Sequence, residues 1–343
     1  MPAVKLDAFL HPSSPAKIPS LALSAEDLGF DGLWFGETSH DALLACALAA
    51  EHTERVEVGT AIALAFTRSP MALAYTCWDV QSIARGRLIL GLGSQVKGHV
   101  ERRFSLQWVP PVPKMREVIQ ALRAIWSCWQ SGEPLSFRGR HYSFSLMTPF
   151  FNPGPIEHPE IPIYLAAVNR GMARLAGELC QGLHVHPLHT VAYIRKVLKP
   201  AVEEGARKTG GSADDVSFAA STFVALGRNR EEMERSKEVM REQVAFYAST
   251  RTYRAVLDLH GWGALGDKLH KLSVEGRWDE MGSQVPPDVL EEFVIEARFD
   301  ELADAIRSKY GGLLNRVSLY LPFDPHAEWW STFLRAFKGA TGR

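Results

Sequence analysis

Two short stretches carry side chains that could move protons. In "GLWFGETSHDALLACALAAEHT" an apolar segment ends in Glu37, Thr38, Ser39, His40 and Asp41. Glu37 and His40 are both proton carriers, and a strand end is where such groups can reach a substrate. Ser39 and Asp41 have a plainer use, as caps whose oxygens accept from the free N–H groups of the next helix. Glu37 lies before the cap, so capping accounts for it less well. In "GLHVHPLHT" His184 and His186 are two apart and face the same side of a strand, with His189 on the loop beyond. Imidazole is a common zinc ligand. No acidic residue lies nearby in the chain, which favours pocket lining or a satisfied core histidine, and no metal is expected.

Three further stretches could hold a ligand. "IPIYLAAVNRGMARLAGELCQG" runs from a buried strand through small residues to Asn169, Arg170 and Gly171, then into a helix. The free N–H groups of that helix's first turn form an anion site, and Arg170 adds a full charge. Simple capping by Asn169 is the alternative. "GRLILGLGSQVKGHVERRF" ends a strand in Gly91, Leu92, Gly93 and Ser94, where glycines let a ligand approach the backbone. In "EVGTAIALAFTRSP" the strand alternation gives way to Ala61, Ile62, Ala63, Leu64 and Ala65, with no charge before Arg68. That run is either packed under other parts of the protein or is the floor beneath a flat ligand.

The elements that must position these groups alternate along the chain. Strand patterns cover 4–9, 32–35, 56–62, 87–90, 163–166, 182–185, 216–225 and 316–321. Helical patterns cover 20–28, 41–52, 70–84, 113–129, 171–179, 191–209, 230–248 and 299–310. Eight strands, each with a helix nearby, predict an α/β fold, a (β/α)8 TIM barrel forming one domain over 1–343. An open doubly wound sheet is the alternative, and the missing G-x-G-x-x-G at the first helix speaks against it. Segments 94–113, 132–162 and 250–287 interrupt the pattern, as insertions after strand 4, before strand 5 and after helix 7. The second of these contains a predicted hairpin, "PLSFRGRHYSF". The first and third are candidate substrate walls.

The 38 basic and 39 acidic side chains leave a net charge of −1, which argues against nucleic acid or an anionic membrane as partner. The opening "MPAVKLDAFLHPSS" has no signal-peptide pattern, and no apolar run is long enough to span a membrane. The scattered Cys46, Cys77, Cys128 and Cys180 point to reduced thiols and a cytoplasmic location.

In this order, "LGFDGLWFGETSH", "ERVEVGTAIALAFTRSPMALAYTCWDVQSIARGRLILGLGS", "PIYLAAVNRGMARLAGELCQGL" and "KYGGLLNRVSLYLPF" resemble the bacterial luciferase-like superfamily, and within it the coenzyme F420-dependent oxidoreductases. The resemblance implies a TIM barrel with a deazaflavin ring across the strand ends. It implies that Glu37 approaches the ring. It also puts Ala61 and Ile62 at a bulge, often a cis non-prolyl peptide, that presses on the ring from behind. Gly93, Ser94, Gln95 and His99, with Val168, Asn169, Arg170 and Gly171, then lie near the cofactor's phosphate tail. The sugar-phosphate dehydrogenases of this family have a histidine where this chain has Thr38, a glutamate at Val96 and a lysine at His189. Those departures speak against glucose 6-phosphate as substrate.

The resulting expectation is a cytoplasmic, homodimeric oxidoreductase. It would move a hydride between coenzyme F420 and a small organic substrate. Glu37 or His40 would transfer protons, and His184, His186 and His189 would face the substrate. An FMN-dependent monooxygenase of the same fold is the main rival. A barrel without cofactor that only binds ligands, and a zinc hydrolase on the three histidines, rank below it.

Overall fold

The computed structural model describes residues 4–323 and 325–339. Eight parallel strands close on themselves: β1 (Lys5–Leu10), β2 (Gly32–Phe35), β3 (Glu57–Thr60), β4 (Leu88–Gly93), β5 (Ile163–Ala167), β6 (Gly182–Val185), β7 (Ser217–Gly227) and β8 (Arg316–Tyr320). Closure comes from β8, which pairs with β7 through Ala219↔Arg316 and with β1 through Lys5↔Arg316. That closure rules out the open sheet. Helices α1 (Ile18–Leu28), α2 (Ala42–His52), α3 (Pro70–Ile83), α4 (Pro111–Ser131), α5 (Arg170–Leu179), α6 (Lys199–Ala206), α7 (Arg230–Ala248) and α8 (Leu302–Tyr310) lie between the strands in sequence. The expected TIM barrel is therefore the fold.

Local chemistry sets the boundaries. Asp41 caps α2 by accepting from Leu43 N–H at 2.9 Å and Leu44 N–H at 3.0 Å. Ser69 caps α3 ahead of Pro70, whose missing N–H costs nothing at a helix start. Glu26 of α1 collects the N–H groups of Glu54, Arg55 and Val56, which fixes where β3 begins.

Several elements differ from the sequence expectation. The third strand stops at Thr60, and Ala63–Leu64 pairs separately with the end of β4. Between them the Ala61–Ile62 peptide is cis, as the resemblance implied. The helix expected over 191–209 is broken into Val191–Tyr193, a π-turn at Ile194–Leu198, α6 and a 3-10 turn. An unexpected strand, Val294–Arg298, pairs with the C-terminal half of β7, from Phe223↔Val294 to Gly227↔Arg298. The insertion before β5 holds the expected hairpin, Phe137–Arg138 with Ser143–Phe144.

The strand N-terminal ends are sealed by charge. Arg316 is 3% exposed and forks onto Asp7, which is fully buried, with both bonds at 2.7 Å. Its third nitrogen reaches Glu57 at 2.6 Å, and Trp34 Nε1 donates to Asp7 at 2.8 Å. Above this seal the interior is filled by Trp34, Ile89, Tyr164 and Ala219. Large side chains fit there because glycines face them. A Cβ on Gly59 would sit 2.2 Å from the Trp34 ring.

Outside the barrel, α4 and α5 are braced by Arg116, whose nitrogens reach Glu178 at 2.5 and 2.7 Å, with Lys208 adding a bond at 3.0 Å. The Arg116 hydrogen bond is the largest reason that the Glu178 carboxyl is held down at about 2. A depressed carboxyl stabilises the fold fully above its unfolded value near 4.5, and that contribution fades as pH falls towards about 2. Glu178→Gln is therefore expected to lower stability at pH 7 and to flatten the acid limb in that window. Urea midpoints measured from pH 7 to pH 2 check it. An unchanged acid limb would refute the brace.

Candidate active site

The strand C-terminal ends carry the half-buried residues Glu37, Ala61, Ile62 and Ser94. Ile62 lies against Gly93, since a Cβ there would be 2.6 Å from Ile62 Cδ1, and Ala166 lies 3.6 Å from the same point. Gly36 N-terminal to Glu37 packs on Phe9 and on the Ala61 carbonyl. Glu37 N–H approaches the Ile62 carbonyl at 3.3 Å, and its carboxylate accepts from Leu64 N–H at 2.8 Å. Glu37, Ala61, Ile62 and Gly93 thus meet in one shelf across the ends of β2, β3 and β4. Ser94 and Gln95 continue it, Gln95 with φ 60° and its side chain accepting from Val96 N–H.

Glu37 is not a free carboxylate. Arg68 donates to it at 2.8 Å and bridges on to Asp41. Arg68 is 21% exposed and Glu37 12%, so the pair is largely shielded from solvent. His40 is half-buried on the same loop, and its ring makes no hydrogen bond among the described residues.

The expected phosphate end is altered. Arg170 is 64% exposed and pairs with Glu204 of α6 at 2.8 Å, so its charge serves helix packing instead of the mouth. Asn169 makes no side-chain cap for α5; its amide donates to the Thr252 carbonyl at 3.2 Å. Val168 offers its carbonyl to Tyr193 Oη at 2.9 Å, and Gly171 lies against Val112 at the start of α4. His99 is exposed on a short helix, Lys97–Arg102.

The three histidines do not converge. His184 points into the barrel, edge-on to Trp34 at 4.8 Å and near Gly91, with its Nε2 buried and unpartnered. His186 sits at the end of β6 against Tyr253 at 4.1 Å and Tyr247 at 4.9 Å. Burial pushes both rings down to about 3. His189 corrects the expectation. It is 2% exposed, and its ring nitrogens are taken by the His186 carbonyl at 2.8 Å and Tyr310 Oη at 3.0 Å. Among the described residues no cluster of three or more His, Cys, Asp or Glu could hold a metal ion.

A model of the luciferase-like monooxygenase family matches residues 4–316. This chain belongs to that family. An uncharacterized protein of Mycobacterium tuberculosis is 41% identical over 314 residues, 92% of each chain. A putative coenzyme F420-dependent oxidoreductase of the same species is 27% identical over 306 residues, 84% of this chain and 86% of its own. Among solved structures, the coenzyme F420-dependent tetrahydromethanopterin reductase of Methanopyrus kandleri superposes with a TM-score of 0.79, at 24% identity and 97% coverage of both chains. That likeness speaks for the fold.

In this luciferase-like barrel, several groups at the mouth escaped the sequence reading. Arg68 looked like the end of an apolar run, and only folding brings it to Glu37. Tyr247 and Tyr253 come from the end of α7 and the insertion beyond it, and wall His186. His11 follows β1, stacks on Phe9 at 4.7 Å and is pushed below its ordinary value by burial. Its place just after a strand end was the available signal. Among the described residues no helix is long and apolar enough to cross a membrane.

Proposed function

We propose that this luciferase-like protein is an F420-dependent oxidoreductase, cytoplasmic and homodimeric, acting on a small organic substrate. The observation that carries the reading is the shelf of Ala61, Ile62 and Gly93 at the strand ends, where Ile62 lies so closely over Gly93 that a Cβ there would clash with it. A flat tricyclic ring fits such a surface, and a relative named as a putative F420-dependent oxidoreductase supports the choice of cofactor. The deazaflavin supplies hydride transfer at its C5, and the protein supplies orientation and electrostatics.

Glu37 and Gly93 would border the ring. Ser94, Gln95 and the open N–H groups at the start of α5 would hold the phosphate, with His99 beyond. Glu37, fixed by Arg68, is a positioned acceptor at the ring edge. His40, unengaged on the same loop, is the second proton-transfer candidate. Glu37→Gln is expected to lower turnover by about a hundredfold, the scale of lost acid–base catalysis, with far less effect on F420 affinity. Steady-state rates beside fluorescence titration check it, and His40→Gln tests the other assignment. Intact turnover would leave Glu37 a structural contact.

The turn of Arg170 towards Glu204 removes one argument for a cofactor with a long anionic tail, so FMN is the second reading. Titration with F420 and with FMN, each followed by quenching of its own fluorescence, decides between them. Tighter binding of FMN would overturn the F420 reading. Light scattering tests the homodimer.

A further inference from the structure

A helix on the outside of a barrel turns a charged stripe to water, as α7 does with its run of Glu, Lys and Arg. Helices α2 and α3 do not. Between them they carry two carboxylates, Glu51 and Asp79, and neither lysine nor arginine. On α2 the outward residues Leu44, Ala47 and Leu48 are all apolar, and Leu44 is 51% exposed. On α3 Ala72 and Tyr75 stand at the matching height, because both helices start at the strand C-terminal ends.

The segment before β5 extends this face. Tyr75 Oη donates to the Phe151 carbonyl, which ties the segment to α3. Phe150 and Phe151 meet edge to face at 5.1 Å, and Phe150 is 89% exposed. Beside them Tyr75, Asn152 and Pro153 complete a cleft of about 340 Å³. One surface therefore carries both a projecting aromatic ring and an apolar hollow.

Two helices of 11 and 14 residues, side by side, present roughly 400 Å². The two phenylalanines add about 300 Å². Monomers rarely leave so much apolar surface in one place. The total approaches the roughly 800 Å² that each partner gives to a stable interface. Asp79 on α3 and Arg85 just past its end are exposed, with no ion-pair partner among the described residues. A two-fold copy brings the same surface back onto itself and can set one of these charges against the other. A strongly charged partner protein would instead need a stripe of one sign, which α2 and α3 lack.

We propose that a second copy of this chain covers this face, with Leu44 and Leu48 of each copy seated against the Tyr75–Phe151 cleft of the other. The inference rests on the homodimer reading, names its surface, and is independent of the cofactor.

Sedimentation velocity of the full chain over a dilution series makes the test. The wild type is expected to be a dimer. Leu44→Glu and Phe150→Ser should each raise its dissociation constant at least about thirtyfold, the scale of one lost hot spot. Val274→Ser removes an exposed apolar side chain from the end of a helix in the insertion after α7, and should leave the dimer as it was. Circular dichroism checks that the variants fold. Phe150 lies outside the long helices, so its variant decides the matter if Leu44→Glu does not fold. Wild-type affinity in either folded variant, or equal weakening by Val274→Ser, overturns this surface and leaves the homodimer reading standing. A wild type that stays monomeric throughout the series overturns both.

Discussion

Asp7→Asn is expected to lower the free energy of unfolding by about 3–5 kcal/mol, the cost of leaving one partner of a buried ion pair alone. Arg316 is almost wholly buried and its guanidinium cannot turn to water. Its pKa is held above the ordinary value by Asp7 and Glu57 against the opposing effect of burial. An asparagine presents one acceptor oxygen and no charge, so the bidentate geometry and the counter-charge vanish together. Glu57 cannot take over, because it is 31% exposed and shared with Lys5. Urea unfolding followed by tryptophan fluorescence measures the loss. Lys5→Met, at the exposed edge of the same cluster, should change stability by less than about 1 kcal/mol. If the two variants behaved alike, the seal would not be a buried ion pair in energetic terms. Replacing Asp7 and Arg316 together by leucine and methionine should be milder than Asp7→Asn alone, since neither charge is then stranded.

The same contrast between local and distant partners explains what could be read from the sequence. The barrel was legible because each strand and helix carries its own periodicity, and eight repeats of one alternation leave few architectures. The shelf was legible too, since "AIALA" is small and uncharged at a strand end. Partner choice was not. Arg170 finds Glu204, and His189 finds Tyr310 on α8, through contacts set by helix packing. Nothing in "NRG" or "PLHT" announces either one. The strand Val294–Arg298 escaped because its five residues alternate only in part and pair only with the overhanging end of β7. Asn169 looked like a helix cap by type, yet a loop from the third insertion claims its amide.

Gly91→Ala carries the second large expected effect, and it reaches from stability into function. In an unconstrained strand this change would help, because alanine restricts the unfolded chain. Here a Cβ would stand 1.8 Å from the Thr60 carbonyl oxygen and 2.7 Å from His184 Nε2. Backbone φ is not the obstacle; contact is. Thr60 cannot step aside freely, because its hydroxyl donates back to the Gly91 carbonyl at 2.7 Å and pins the two strands together. The displacement must then pass into Ala61 and Ile62, which follow Thr60 and form the shelf. Destabilisation of about 1–3 kcal/mol is expected, the usual scale for overpacking. F420 affinity should fall by more than about tenfold, as expected when a preorganised surface moves by a fraction of an ångström. Gly93→Ala separates the two effects. There the added methyl meets the far end of the flexible Ile62 side chain at 2.6 Å, so the fold should lose less than at Gly91 while Ile62 is still displaced at the shelf. Thermal unfolding and cofactor titration of both variants check this. Wild-type F420 affinity in Gly93→Ala, beside a destabilised Gly91→Ala, would mean that the small residues at the mouth serve packing between strands and that no ring rests on them.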